Sequence, residues 1–178
     1  MTDSLASDAD EPTAESNPEI EAFWDVAKFH ARLNAAPSYF GQTPLESVTP
    51  PAWSFGATPE VADELAALVR DGVKTATASA LWDYEAEGES LPEEGEFSIV
   101  LDGRGHPVAL IATTRVQVVA FDAVTEEHAR AEGEGDRTLA YWREVHERFF
   151  SEHKSHDREF AADMPVVCET FEVVYVAD

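Results

Sequence analysis

The sequence has almost no cysteine: Cys168 is the single one in 178 residues. That excludes an internal disulfide, and the expected setting is reducing and cytoplasmic. Cations are scarce as well, with 12 Lys and Arg against 36 Asp and Glu and a formal net charge of −24. Only Lys28, Lys74 and Lys154 are lysines. So acidic a surface repels nucleic-acid phosphates over most of its area, so neither double-stranded DNA nor long RNA is an expected partner. A nucleoside or a short single-stranded RNA in a local pocket stays open. No apolar run approaches the roughly 18 residues of a membrane span, so no membrane partner is expected. The opening stretch MTDSLASDADEPTAESNPE has neither a basic nor an apolar region, and no signal peptide is expected. A phosphate-cradling Gly-rich loop, a dinucleotide fingerprint and a GxSxG elbow are all missing. The histidines His128, His146, His153 and His156 and the carboxylates Glu132, Glu134 and Asp136 match no strong ligand spacing, so no metal site is expected.

What is present is core material. Hydrophobic residues make up 44% of the chain, with ten Phe and four Trp, enough for one domain plus a tail. Residues 1–18 are acidic and aperiodic and read as a disordered tail. Residues 19–52 read as a helix, with Ile20, Phe23, Trp24 and Ala27 on one face, followed by a proline-rich connection anchored by Trp53 and Phe55. The domain proper is expected over 53–178. There, Thr58 and Pro59 begin a helix whose stripe is Val61, Leu65, Leu68 and Val69, and Gly72 ends it. KTATASALW, EFSIVLD, VALIATTRVQVVAF and PVVCETFEVVYV read as strands, the last with Val167, Phe171, Val173 and Tyr175 on one face. TEEHARAE and TLAYWREVHERFFSEH read as helices, the second burying Leu139, Trp142, Val145, Phe149 and Phe150. The order predicts an α+β domain built on a small, mostly antiparallel β-barrel.

Lys74 is the residue with the most chemistry open to it. A lysine just past a helix C-terminus can simply complement the macrodipole and the free carbonyls. A lysine stripped of water can instead act as a base or orient a carbonyl or phosphate. Thr77 is either an ordinary strand residue or a nucleophile activated by that amine. The two converge only if a turn or bulge intervenes, because positions three apart on a strand face opposite ways. Trp82 and Tyr84 are either stacking platforms for a base or core and rim aromatics. Cys168 reads as a small core residue.

These landmarks give the chain its resemblance. The segments WSFGATPEVADELAALVRDGVKTATASALWDYEAEGE, LPEEGEFSIVLD, PVALIATTRVQVVAFDAVTEEHARAEGEGDRTLAYWREVHERFF and PVVCETFEVVY follow in the order of an ASCH domain, a branch of the PUA-like superfamily. The element Gly72-x-Lys74-x-x-Thr77 is similar to that family's hallmark. The resemblance implies a PUA-like β-barrel flanked by helices, here with an additional N-terminal helix, and a cleft for RNA or nucleoside ligands. In one branch, of amidohydrolases acting on N4-acetylcytidine, the lysine is the base, the threonine the nucleophile and a glutamate the proton donor. These roles fall on Lys74, Thr77 and Glu132. Thr75, Ser79, Trp82, Tyr84, Arg115, Arg137 and Arg143 are the expected substrate-binding residues. Other members resemble metal-dependent ribonucleases on single-stranded RNA, with manganese a candidate metal, and a non-catalytic RNA- or nucleotide-binding module is the third alternative. The first reading needs no cofactor. The chain departs from the compact amidohydrolases in its N-terminal helix, in the helix of EGEGDRTLAYWREVHERFF, and in having Ala78-Ser79 where they place an arginine.

Overall fold

The computed structural model describes residues 17–34 and 48–177. All but the end of the expected disordered tail, and most of the proline-rich connection, lie outside the described residues. Helix α1 (Pro18–Asn34) is followed by β1 (Ala52–Ser54), α2 (Pro59–Arg70), β2 (Ala76–Ala80), α3 (Leu81–Glu87), β3 (Phe97–Leu101), β4 (Pro107–Ala120), α4 (Glu126–Glu132), α5 (Leu139–Glu152) and β5 (Pro165–Val176). A single 3₁₀ turn, Phe121–Ala123, leads from β4 toward α4.

The helix ends follow from local chemistry. Thr58, Thr125 and Thr138 each sit in extended conformation and accept a hydrogen bond from the amide three residues on, at the starts of α2, α4 and α5. Each satisfies a donor that the first turn would otherwise leave free. Helix α2 stops where Gly72 turns left-handed, at φ 68°. The amides of Val73 and Lys74 then both donate to the Leu68 carbonyl, at 2.9 and 3.0 Å.

The sheet has five strands in the order β1-β3-β4-β5-β2. β1 runs parallel to β3, and the other neighbours are antiparallel. The expected barrel does not close among the described residues. β3 pairs with the first half of β4, over 107–112, whereas β2 pairs with residues 166–170 of β5. Because β4 and β5 are antiparallel, β3, with β1 beyond it, and β2 stand at opposite ends of the long ribbon, and no ladder among the described residues joins β1 to β2.

Three apolar clusters cover this ribbon. Phe23, Trp24 and Ala27 of α1 pack on Ile99 and Leu110. Leu65, Ala66 and Val69 of α2 pack on Val100, Ala109, Ile111 and Phe171. Adjacent residues of β3 and β4 thus serve opposite faces, as strand alternation requires. Trp142 and Phe150 of α5 and Ala129 of α4 close over Ala78, Ala80, Val166 and Cys168. Each large side chain buried this way contributes about 1.5–3 kcal/mol.

Two expectations change. KTATASALW is a strand only through Ala80, and Leu81–Glu87 is helix α3. Trp82 and Tyr84 therefore project from a helix. On β5 the register shifts where Val173 pairs with Ile111 and Tyr175 with Leu110. The extra residue reverses the alternation, so Phe171 and Val173 join the α2 cluster while Tyr175 joins α1.

Candidate functional site

Lys74 is 1% exposed. Backbone contacts bring the covering segment into place. Just beyond Lys74, the Thr75 amide donates to the Ala131 carbonyl at 2.8 Å, fastening the end of α4 against residues 73–75. Gly133, left-handed at φ 76°, permits the close approach, because a Cβ there would stand 2.6 Å from the Val73 carbonyl oxygen. Glu132 and Glu134, on either side of that glycine, both reach the amine. Lys74 Nζ donates to Glu134 Oε1 at 2.7 Å and to Glu132 Oε2 at 3.2 Å. It also lies 5.0 Å from the Phe55 ring centroid.

Glu132, likewise 1% exposed, is the hub of a wider network. Its Oε1 accepts from Trp142 Nε1 at 2.6 Å and from His128 Nε2 at 3.1 Å. His146 Nε2 stands 3.5 Å from Oε2. His146 stacks on Trp142 at 4.2 Å and donates from Nδ1 to the Trp142 carbonyl at 3.0 Å. Burial opposes the charge on Glu132, but Lys74 and His146, with the hydrogen bonds from both histidines, hold its carboxyl well below the usual range. Burial likewise opposes the charge on Lys74, and the two carboxylates raise it regardless. His128 is pushed up to about 9: burial lowers it, and hydrogen bonds to Cys168 and Glu132, with the Glu132 charge, prevail. The resting cluster is thus ionised, with an ammonium, a carboxylate and a protonated His128.

Lys74, Thr77 and Glu132 line one cavity of about 110 Å³, together with Phe55, Glu134 and His146. The convergence needs no bulge in β2. Lys74 lies before the strand begins at Ala76, where regular alternation does not apply. Thr77, Ala78, Phe55, Gly56 and Phe149 also line a cleft of about 630 Å³ that continues outward. This size falls in the ~300–1,000 Å³ range of small-ligand sites. Ser79 and Tyr84 line the cleft, as do Trp53, His153 and Glu169. Its walls carry Asp83, Glu87 and Glu89 and no arginine.

The other expected binding residues stand elsewhere. Thr75 Oγ1 is 3.3 Å from the Ala131 carbonyl. Trp82 packs edge-on to His156 at 5.3 Å and lies 5.1 Å under Arg158. Arg115 lines a separate depression of about 130 Å³. Arg137 is an exposed loop residue, and Arg143 donates to the Asp122 carbonyl at 2.9 Å. Among the described residues, no three His, Cys, Asp or Glu are grouped so as to hold a metal ion. No described helix is long and apolar enough to cross a membrane. Sequence reasoning weighed Glu134 and His146 only as metal ligands and Trp142 only as a core residue, and it passed over Glu169. The signal that could have found the network is the four-residue spacing of His128 with Glu132 and of Trp142 with His146, which puts each pair on one helix face.

The fold is an α+β domain with a cleft beside the cavity that Lys74 lines. The ASCH domain family matches residues 51–175. A crystal structure of a protein from Enterococcus faecalis V583 is 38% identical, with 88% of each chain covered and a TM-score of 0.73. An ASCH domain from Lactobacillus crispatus JV V101 is 30% identical, covering 91% of this chain and 98% of its own, with a TM-score of 0.75. No curated protein matches. The chain belongs to the ASCH domain family, a class of RNA-binding, PUA-like domains.

Proposed function

We propose that the protein is a hydrolase that removes an acyl group from a modified cytidine nucleoside, using Lys74, Thr77 and Glu132. The observation that carries this reading is that all three line one cavity adjoining a nucleoside-sized cleft, the two sharing Thr77. The cleft's carboxylates disfavour a phosphate chain and cost an uncharged nucleoside little. That ranks this reading above a ribonuclease.

The ionised resting state sets what the residues must do. Lys74 cannot take a proton while it is an ammonium. Transfer of one proton from Lys74 to Glu132, across 3.2 Å, yields an amine and a carboxylic acid with no change in net charge. A neutral ligand that expels water from the cavity favours this form, because desolvation penalises the charged pair. The amine then takes the Thr77 hydroxyl proton as the oxygen attacks the acyl carbon. The new ammonium faces the developing oxyanion. The C–N bond breaks as Glu132 protonates the leaving nitrogen, leaving an acyl ester on Thr77. A second proton transfer within the pair readies Lys74 to deprotonate water, which attacks the ester. The C–O bond to Thr77 breaks as its oxygen takes the proton of Glu132, which returns the pair to ammonium and carboxylate, and a carboxylic acid is released.

The test is incubation with N4-acetylcytidine. The expected result is equimolar cytidine and acetate, with Lys74→Ala inactive but folded by circular dichroism. Turnover equal to wild type in that variant would overturn the mechanism.

A further inference from the structure

Glu169 on β5 has no part in the chemistry above, yet it is 9% exposed and lines the cleft. It pairs directly with Thr77 across the β2–β5 ladder. Its Oε1 accepts from Thr113 Oγ1 at 2.6 Å. No other hydrogen bond from the described residues reaches the carboxyl group, and no described Lys or Arg pairs with it. Oε2 is not sealed in the core, since His156 Nε2 is the only fully buried side-chain atom left without a partner among the described residues. A nearly buried carboxyl held by one neutral hydroxyl is costly to fold. Burial accordingly pushes its pKa up, and the charge of Glu96 acts in the same direction. An acceptor left open beside the nucleophile is explained if the ligand brings the missing donor.

We propose that Glu169 selects the ligand by accepting the exocyclic N–H next to the acyl group, so that the cleft prefers a ring bearing an amino nitrogen over one bearing a carbonyl oxygen there. This rests on reading the cleft as a nucleoside site, with the acyl carbon at Thr77. The amide nitrogen is one bond from that carbon, and Glu169 is the residue beside Thr77. A cytosine presents N–H at that place. A uracil presents an oxygen, which would face the carboxylate with no hydrogen between them. A hydrogen bond to a charged group is worth about 1.5–3 kcal/mol, or roughly 10- to 100-fold in affinity.

The experiment is calorimetric titration with cytidine and with uridine at pH 8. Neither ligand needs to react, so binding is read independently of hydrolysis. Wild type is expected to bind cytidine at least about tenfold more tightly than uridine. In Glu169→Gln, with Thr113 still donating to the amide oxygen, an N–H₂ group faces the cleft. The preference is then expected to vanish or invert through weaker cytidine and stronger uridine binding. A loss of packing alone would weaken both ligands together. Equal binding of the two by wild type, binding of neither, or an unchanged ratio in Glu169→Gln would each overturn the proposal. A protein that discriminates but releases no acid from N4-acetylcytidine retains this inference and loses the hydrolase reading. One that hydrolyses but does not discriminate does the reverse.

Discussion

Replacing Glu132 with Gln removes the carboxylate on which Lys74, His128, His146 and Trp142 converge. The amide has nearly the same shape, so the perturbation is one of charge. Lys74 is left 1% exposed with Glu134 as its remaining anionic partner. Breaking a buried ion pair by removing one partner costs about 3–5 kcal/mol, a large part of a typical 5–15 kcal/mol stability. The pH dependence gives a sharper test. The rise of His128 from 6.5 to about 9, produced by Cys168 together with the hydrogen bond and charge of Glu132, corresponds to about 3 kcal/mol, of which the variant loses the Glu132 share. A group whose folded pKa is raised stabilises fully below its unfolded value, here 6.5, and that stability fades as pH rises through about 9. Glu132, whose folded pKa is lowered, contributes above 4.5 and loses its contribution as pH falls below that. The gap between wild type and variant should therefore be widest between about 4.5 and 6.5 and shrink toward 9. Urea unfolding across that range measures it. A variant within about 1 kcal/mol of wild type at pH 6, or a gap that stays constant to pH 9, would refute the ionised-network picture.

Three further outcomes follow from the structure. Gly133→Ala should cost about 2 kcal/mol, or roughly 4–8 °C in melting temperature, because its Cβ meets the Val73 backbone. Gly72→Ala, also left-handed but with nothing within 4 Å of its Cβ, should cost only about 1 kcal/mol, both being read by thermal unfolding. Cytidine 5′-monophosphate should bind at least about threefold more weakly than cytidine at low salt, with the difference closing as the Debye length falls to ~3 Å near 1 M. Tighter binding of the monophosphate would contradict the acid-walled cleft.

The amino-acid order alone set the punctuation of this chain. Thr58, Pro59 and Gly72 bound α2, Thr125 and Thr138 cap α4 and α5, and Phe23, Trp24 and Ala27 mark the buried face of α1. These features are local: a cap or a helical stripe depends on residues within a few positions, and its signal survives without knowledge of the rest. Lys74, Thr77 and Glu132 were also nameable, through their likeness to a family motif.

Tertiary contacts decided the remainder. Whether the sheet closes depends on which halves of β4 and β5 are chosen by β3 and β2, a matter of pairing between distant segments. Trp82 faces away from the cleft because α3 replaces the end of the expected strand. The charge state of Lys74 depends on carboxylates 58 and 60 positions along the chain. Glu169 reads as one more alternating strand residue until Thr77 is seen beside it and the cleft in front. Burial and Coulomb energies are functions of distance in space, and no sequence spacing encodes them until the fold has brought the groups together.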